Sequence, residues 1–373
     1  MRRYISIGFV AFGLLFAVGP ANAAEASGWQ AEWEKTLKAA EQEGQVMLYI
    51  AGYGALVDSG AFQKAFPKIR ATSVTGSGTQ LAQRIAAERR AGKYLADVYG
   101  GGGNSLYQVL YLGKMLDPIK PALILPEVVD ESKWWEGKHK YVDREGQHIF
   151  VYEGNVSGGA NPGYNINLLK PAEFKSYWDF LNPKLKGRIV SIDIRKVRGA
   201  GAPWQFLYYH PELGPEYTKR LFSTMDVMMT ADLRQAVDWL AVGKAVLCLP
   251  CRDIEEGKNQ GLPVDEFEPY HLKEGINISS AFGQMALMDR APHPNAAKVF
   301  INWLLSREGQ IAFQKIISQP NDPKDSRRID VPKDHIPPKF TRKDKMKYFD
   351  TDDPDTKDIQ PIIKLLDEVL TKK

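Results

Sequence analysis

Cysteine is nearly absent from this chain, which has 2 cysteines in 373 residues. A chain with so few cysteines is not a disulfide scaffold, so packing must hold its fold together. Histidine is also sparse: the 6 histidines are scattered, without an H-E-x-x-H sequence or another metal-binding spacing. A G-x-S-x-G nucleophile elbow is missing as well. The sequence therefore carries neither of these common catalytic motifs.

An excess of one charge is missing too. The chain has 49 basic and 45 acidic residues, and removal of Arg2 and Arg3 with a signal segment would lower its net charge of +4 by two. Apart from a lysine-rich tail, no basic or acidic tract occurs. This balance lacks the basic patch that nucleic-acid binding requires, so we expect no nucleic-acid partner.

Long apolar runs are limited to the start of the chain. Arg2 and Arg3 precede an apolar run over 5–18, and small residues follow it over 21–23. This order predicts a secretory signal peptide over 1–23, cut after Ala23. The run is too short to span a bilayer with margin, and no nearby cysteine can carry a lipid. We expect a soluble protein in a bacterial periplasm.

The remaining chain is longer than one hydrophobic core usually serves, so two lobes are expected. Apolar periodicity predicts helices over 29–43, 59–67, 79–92, 202–210 and 233–243, and strands over 45–52, 69–78, 94–103, 187–194 and 244–251. Short strands and turns are expected over 133–167. Such alternation is typical of α/β lobes, each with a mostly parallel sheet covered by helices. After Gln319 the composition favours an extended surface segment, followed by a docking helix over 359–370.

Four turns rich in glycine and small polar residues lie where predicted strands lead into helices. They are residues 52–54, 76–79, 101–105 and 198–201. In open α/β sheets, ligands bind beyond the carboxyl ends of the strands, where helix N-termini present free N–H groups. None of the four matches a phosphate-binding P-loop or a complete dinucleotide fingerprint. One such turn would be ordinary, but four of them predict a ligand cleft.

Arginines and aromatic residues near these turns have two interpretations. Arg195 and Arg198 precede a predicted helix start, where a guanidinium and the helix dipole could together bind an anion. Each of them, like Arg252, is equally well explained as a solvated loop residue. Four aromatic residues could stack on a ligand or belong to the core: Tyr53, Tyr164, Trp204 and Phe282.

The two cysteines form a C-x-x-C sequence, Cys248 to Cys251, after a predicted strand. In an oxidising compartment two such thiols are expected to form a disulfide or to lie near each other inertly. Redox catalysis would need the motif at the start of a helix, and a soft metal site would need further ligands that are not apparent.

Four blocks of the sequence, residues 39–52, 76–99, 163–190 and 285–310, resemble a bacterial extracellular solute-binding protein of an ABC importer. The resemblance is to the branch that includes the periplasmic ferric-iron binders, and it covers about residues 29 to 314. It implies a two-lobed periplasmic-binding-protein-like α/β fold of type II with a hinge between the lobes. The implied division is lobe one over 24–118 and 274–318, and lobe two over 119–273 and 319–373.

The resemblance also implies a partner and a test for iron. The expected partners are a small-molecule solute and, transiently, an ABC permease in the inner membrane, with the protein a monomer that needs no cofactor. Ferric binders hold iron with an adjacent tyrosine pair after a second-lobe strand. Here that place is occupied by Cys248 to Arg252, while the Tyr208-Tyr209 pair lies earlier. We therefore predict no metal ligands.

These considerations predict a binding protein rather than an enzyme, with a small organic anion such as a carboxylate or phosphonate as its solute. The alternatives are a ferric-iron (iron-anion) binder and a secreted enzyme that uses Cys251. The predicted ligand-binding residues are Tyr53, Gly54, Ser77, Gly78, Thr79, Asn104, Ser105, Arg195, Arg198, Gly199, Trp204, Cys251, Arg252 and Ser280.

Overall fold

The computed structural model describes residues 20–102, 104–156, 161–197, 201–320, 322–343, 346 and 348–371, with side chains from residue 28 onward. The signal peptide predicted over 1–23 lies outside these residues, apart from the backbone of the first helix from Pro20. Among the described residues, no helix has the length and apolar character needed to cross a membrane.

A first sheet contains the earliest strands of the chain. Its strands are β1 (Gln45–Ala51), β2 (Arg70–Gly76), β3 (Val98–Gly100), β4 (Leu116–Asp117), β5 (Lys140–Tyr141), β6 (Ile149–Val151) and β14 (Gln284–Met288). The order is β2-β1-β3-β14-β6-β5, with β4 paired to β14. β1 is parallel to β2 and β3, whereas β14 is antiparallel to β3 and β6. Leu48 faces one core and Tyr49 the other, which explains why β1 is apolar on both faces.

A second sheet is formed by strands from the middle of the chain. They are β8 (Gly163–Asn165), β9 (Ile189–Ile192), β10 (Met228–Thr230), β11 (Leu247–Cys248) and β12 (Val264–Glu266). The order is β10-β9-β11-β8-β12. β9 is parallel to β10 and β11, and β8 is antiparallel to both of its neighbours.

Helices cover both sheets. The described α-helices are α1 (Pro20–Glu43), α2 (Gly54–Asp58), α3 (Ala61–Ala65), α4 (Gly78–Arg90), α5 (Pro126–Val129), α6 (Gly201–Tyr209), α7 (Gly214–Thr224), α8 (Leu233–Ala241), α9 (Ile254–Asn259), α10 (Pro294–Leu305), α11 (Arg307–Ile317) and α12 (Gln360–Leu370). The strands and helices predicted from periodicity are present with shifted ends, and α12 docks on α6 and α7 as predicted.

Three passages of the chain between the two sheets pair with one another. They form a small sheet of β7 (Asn155–Val156), β13 (Ile276–Ser279) and β15 (Tyr348–Asp350), in the order β15-β13-β7. Each of these strands lies between elements that belong to different lobes: β7 and β13 connect the two sheets, and β15 lies between α11, which packs on the first lobe, and α12, which packs on the second. The fold is therefore a pair of α/β lobes joined by a three-stranded hinge.

The first lobe extends further along the chain than the predicted boundary at residue 118. Ile119, Val128 and Trp134 lie in the same buried cluster as residues of β1 and α10. The side chain of Asn302 on α10 accepts hydrogen bonds from the backbone N–H groups of Ile124 and Leu125. Sheet pairing continues to β6, so residues 119–151 pack with the first lobe rather than the second.

The segment after Gln319 is not the surface segment that its composition predicts. Residues 324–328 are all nearly buried, and Arg328 is completely buried. Charged residues reach the interior here because carboxylates and backbone carbonyls pair with them, as in the contact of Arg328 with Asp330. This part of the tail packs on the first lobe, while α12 packs on the second.

Candidate solute-binding cleft

Several of the predicted residues meet at the carboxyl ends of the first sheet. The hydroxyl of Ser77 accepts the backbone N–H of Gln80 and so caps α4, and the Gln80 side chain accepts the N–H of Ser77 in return. The hydroxyls of Thr79 and Ser105 are 3.1 Å apart. A Cβ on Gly78 would lie 3.2 Å from the hydroxyl of Tyr99 and 3.5 Å from the carbonyl oxygen of Gly102. We call Ser77, Gly78, Thr79, Asn104, Ser105 and Gly201 the polar rim.

The polar rim spans both lobes. A Cβ on Gly201, the first residue of α6 in the second lobe, would lie 3.3 Å from the amide nitrogen of Asn104 in the first lobe. The start of α6 therefore lies beside Asn104, while Thr79 of α4 contacts the neighbouring Ser105, and a helix N-terminus carries a partial positive charge. Arg198 and Gly199, which were predicted here, lie outside the described residues.

Tyr53 and Gly54 lie on the first lobe where it meets the hinge. Tyr53 is buried, and its hydroxyl donates a 2.7 Å hydrogen bond to Oε2 of Glu153. Its ring makes an edge contact with Phe282 at 5.7 Å between centroids. Burial and the nearby Glu153 carboxylate raise the pKa of Tyr53 well above its usual value. Gly54 begins α2 and packs against the methyl group of Thr75.

A cavity of about 460 Å³ opens beside the hinge. Its wall combines residues of α9 and β12 from the second lobe, the turn between β13 and β14, and the segment after α11. The residues on it are Asn155, Val156, Arg252, Asp253, Glu255, Glu256, Asn259, Glu266, Ala281, Phe282, Asp322, Pro323, Lys324, Asp325, Ile336 and Phe340. We call this space the hinge cavity.

The hinge cavity and the polar rim adjoin each other. The carbonyl oxygen of Ala281, on the cavity wall, packs so closely on Gly102 that a Cβ there would come within 1.8 Å of it. Gly102 in turn contacts Gly78 of the polar rim. Phe282 packs over Gly52 at the end of β1, and its side chain is 40% exposed. The rim and the cavity are therefore two parts of one cleft.

Three of the predicted ligand-binding residues have their polar groups bound to other residues of the protein. Trp204 is completely buried, stacks on Phe222 and donates its indole N–H to the carbonyl of Ile192. Its bulk fills the core of the second lobe.

The other two are held by carboxylates and by the hinge. The Arg195 guanidinium pairs with Asp193 and with Asp367 of α12, which directs it to the outside of the second lobe. Ser280 is buried in the hinge, where its N–H donates to Asp352 and its hydroxyl accepts from Gln284.

The two cysteines form a disulfide bond, with 5.3 Å between their Cα atoms. Both are buried, in the cluster that joins β9, α8 and α9. Arg252 and Asp253 follow directly and lie on the wall of the hinge cavity. The disulfide thus sits behind the cleft wall, and Cys251 offers no free thiolate in this form.

Two carboxyl groups of the cleft have strongly raised pKa values. Burial raises the pKa of Glu153 to about 8, against the attraction of Lys324 and the hydrogen bonds from Tyr53 and Asn155. Burial and the neighbouring Glu255 raise the pKa of Glu266 to about 7, against the attraction of Lys339 and a hydrogen bond to Asn161. Neither residue was predicted from the sequence, because a glutamate at or just after the end of a short strand carries no motif.

Among the described residues, the carboxylates on the wall of this cleft do not form a group of three or more ligand atoms close enough together to hold one metal ion. Tyr208 and Tyr209 lie on α6, where the Tyr209 hydroxyl donates to the carbonyl of Asp358 in the tail. One metal-like group among the described residues, Asp143, Glu145 and His148, lies away from the cleft. Its buried member, Asp143, already accepts backbone N–H groups of its own turn, as expected of a structural residue.

The fold and cleft define a class of protein. Two α/β lobes with three connecting strands and a ligand-sized cleft between them are the architecture of type II periplasmic binding proteins, and solved structures of this class match the chain. Residues 145–316 match the profile of the family described as bacterial extracellular solute-binding protein. The profile match bears out the resemblance found in the sequence over residues 145–316, and the solved structures bear out the expected fold. No curated protein matches the chain.

Three solved structures illustrate the likeness. The Trichodesmium protein IdiA (FutA), in complex with iron and citrate, has 19% identity and a TM-score of 0.61, over 87% of this chain and 99% of its own. The ferric binding protein from Campylobacter jejuni has 16% identity and a TM-score of 0.58, over 87% and 99%. AfuA from Actinobacillus pleuropneumoniae, with fructose-6-phosphate bound, has 20% identity and a TM-score of 0.54, over 88% and 98%. At these identities the likeness concerns the fold.

Proposed function

We propose that this protein is the periplasmic solute-binding component of an ABC importer, exported by a signal peptide cut after Ala23. It captures a small organic anion between its lobes and delivers it to a membrane permease without changing it chemically. The observation that carries the proposal is the polar rim, where Asn104 of the first lobe meets the N-terminus of α6 in the second.

The chemistry of the polar rim suits an anion. The N-termini of α4 and α6 direct partial positive charge and N–H donors at one space. The hydroxyls of Thr79 and Ser105 and the amide of Asn104 add donors that need no counter-charge. Closure would follow because an anion contacts both lobes only when they are together. The bound citrate and fructose-6-phosphate of two structural neighbours are also anions.

A thermal-shift screen of the mature chain tests the proposal. Organic anions, among them carboxylates, phosphonates and phosphate esters, should raise the melting temperature, and metal ions alone should not. Thr79→Val with Ser105→Ala should weaken anion binding by about tenfold, the usual effect of losing a hydrogen bond to a charged group. Thr224→Val is the matched control, since Thr224 is exposed at the end of α7. Stabilisation by metals and not by anions would refute the choice of ligand.

The iron alternative has less support. The position that corresponds to the tyrosine pair of the ferric binders is occupied by the Cys248–Cys251 disulfide. Tyr53 lies at the cleft, but its hydroxyl is engaged in a hydrogen bond to Glu153. The enzyme alternative needs a nucleophilic Cys251, and the Sγ of Cys251 is bonded to Cys248 and buried. We therefore retain binding and delivery of an organic anion.

A further inference from the structure

We propose that the hinge cavity binds a cationic group of the solute, so that the solute is an ampholyte that carries both an anionic and a cationic group. This inference rests on the proposed function, because the anionic group is the one assigned to the polar rim. The two groups would lie side by side, since Ala281 and Gly102 connect the cavity to the rim.

The first argument is the charge on the cavity wall. Its described residues include six carboxylates and two cations. Three of these carboxylates are ion-paired within the protein: Asp322 with Lys324, Asp325 with Lys333 and Arg342, and Glu255 with Lys339.

The other three carboxylates give the wall its excess of negative charge. They are Asp253, Glu256 and Glu266, and no ion pair among the described residues engages them. Arg252 is one of the two cations on the wall. Lys324, the other, is held by Asp322 and lies over the ring of Tyr53. A cation placed in this cavity would lower the repulsion among the carboxylates, whereas an anion would increase it.

The second argument is the shape and the aromatic wall. The cavity has the volume that a small organic molecule needs, which separates it from an acidic patch on a flat surface. Phe282 faces it with 40% of its side chain exposed, at the turn where the hinge meets the first lobe. An exposed aromatic ring beside carboxylates suits an ammonium group, because the ring face attracts cations.

The electrostatic state of Glu266 supports the same conclusion. Burial and Glu255 raise the pKa of Glu266 to about 7, so ionisation of this carboxyl group is costly in the fold. The charged groups that face Glu266 are Glu255, Asp265 and Lys339, and Asp265 is itself paired with Lys258. A bound cation would favour the ionised form of Glu266, and binding should therefore weaken as the pH falls below about 7.

Calorimetric titration of the mature chain with two matched probes tests the inference. Phosphoethanolamine and ethyl phosphate share the phosphate ester, and only the first carries an ammonium group. At pH 8 phosphoethanolamine should bind at least about tenfold more tightly, the usual effect of one charge-assisted hydrogen bond. The ratio of the two affinities, each corrected for the separately measured second pKa of that probe's phosphate, should fall between pH 8 and pH 6.

Two variants locate the effect. Glu266→Gln and Asp253→Asn should each lower the affinity ratio severalfold without weakening the binding of ethyl phosphate, because each removes a negative charge beside the phosphate site. Asp253 has a φ of 63°, which asparagine also tolerates, so the second variant should fold even if the first does not. Glu216→Gln, at an exposed position on α7, is the matched control and should change neither affinity.

The outcomes separate the two proposals. Equal binding of both probes, or tighter binding of ethyl phosphate, would overturn the cationic subsite and leave the anion-binding function intact. An affinity ratio that Glu266→Gln and Asp253→Asn do not change would overturn the subsite as well. Binding of neither probe would count against both proposals, since the polar rim should accept the phosphate of either one.

Discussion

Single residues of the tail carry more of this fold than its composition indicates, and Arg328 is the clearest case. Its guanidinium pairs with both carboxylate oxygens of Asp330 and donates to the carbonyls of Glu127 and Leu305, each at 3.0 Å. It also lies over the ring of Trp134. It therefore attaches the tail to the segment after residue 118 and to the end of α10.

Replacement of Arg328 should be strongly destabilising. Arg328→Ala would leave Asp330 and two buried carbonyls without their donor, so we expect a loss of about 3 kcal/mol in the free energy of unfolding. Urea denaturation followed by fluorescence measures it. Arg144→Ala is the control, because Arg144 and its partner Asp355 are both mostly exposed, and its effect should stay within about 0.5 kcal/mol. Similar effects of the two variants would contradict this role for Arg328.

Glu153 gives the stability of the protein a dependence on pH. Its pKa is raised to about 8 in the fold, while an unfolded chain would have an ordinary glutamate. Between about pH 5 and 8 the folded state therefore holds a proton that the unfolded state has lost, and linkage makes stability fall as the pH rises. Tyr53, Asn155, Lys324 and Asp322 are the groups that face this carboxyl.

Glu153→Gln should remove this dependence. Urea midpoints measured at pH 5, 6, 7 and 8 should fall less steeply in the variant than in the native protein. Glu136→Gln, at an exposed turn, should keep the native slope. A native slope in Glu153→Gln would mean that the carboxyl at the hinge does not titrate in this range.

At the level of elements, the sequence predicts most of what local pattern controls. β1 and α4 follow from an apolar run and from helical spacing, and the cap at Ser77 is visible as S-x-x-Q. The assignment of residues 119–151 to the first lobe is not predictable in this way, because it depends on long-range contacts such as Asn302 with Leu125. The same holds for the cleft. Its glycine turns can be recognised in the sequence, whereas the raised pKa values of Glu153 and Glu266 arise from burial and cannot.

The disulfide links the end of β11 to the loop that leads into α9. It links two residues only three positions apart, so it restricts the unfolded chain little. Its entropic contribution to the free energy of unfolding is therefore small, about 2 kcal/mol. Cys248→Ala with Cys251→Ala should therefore lower the free energy of unfolding by roughly that amount in guanidinium titrations. The protein should still fold, because hydrophobic packing surrounds both positions.

The same variant reports on the cleft wall. Because Asp253 lies on the wall of the hinge cavity two residues after Cys251, loss of the bond should weaken binding of phosphoethanolamine more than binding of ethyl phosphate, while the fold survives. Native alkylation of the unmodified protein is the companion measurement. Labelling of either thiol without denaturant would show that the bond is not formed, and the expected loss of stability would then be withdrawn.

At the level of the whole molecule, function depends on how closely the two lobes can approach. Asn104 and Gly201 meet across the cleft, and space for no more than a small side chain remains between them. Gly201→Val should hold the lobes apart, because its methyl groups would occupy the position of the Asn104 amide. Small-angle scattering should then show no decrease in the radius of gyration when phosphoethanolamine or ethyl phosphate is added, whereas the native protein should contract.

Asn104→Ala combined with Gly201→Val is the matched test of that mechanism. Removal of the Asn104 amide makes room for valine, so the double variant should contract again on addition of the probe, even though it has lost one donor to the anion. Restored contraction with weaker affinity would separate closure from ligand contact. Relief of the clash is the change that distinguishes the two variants. Steric control of closure at this contact would therefore be refuted if Gly201→Val contracted as fully as the native protein, or if the double variant stayed extended.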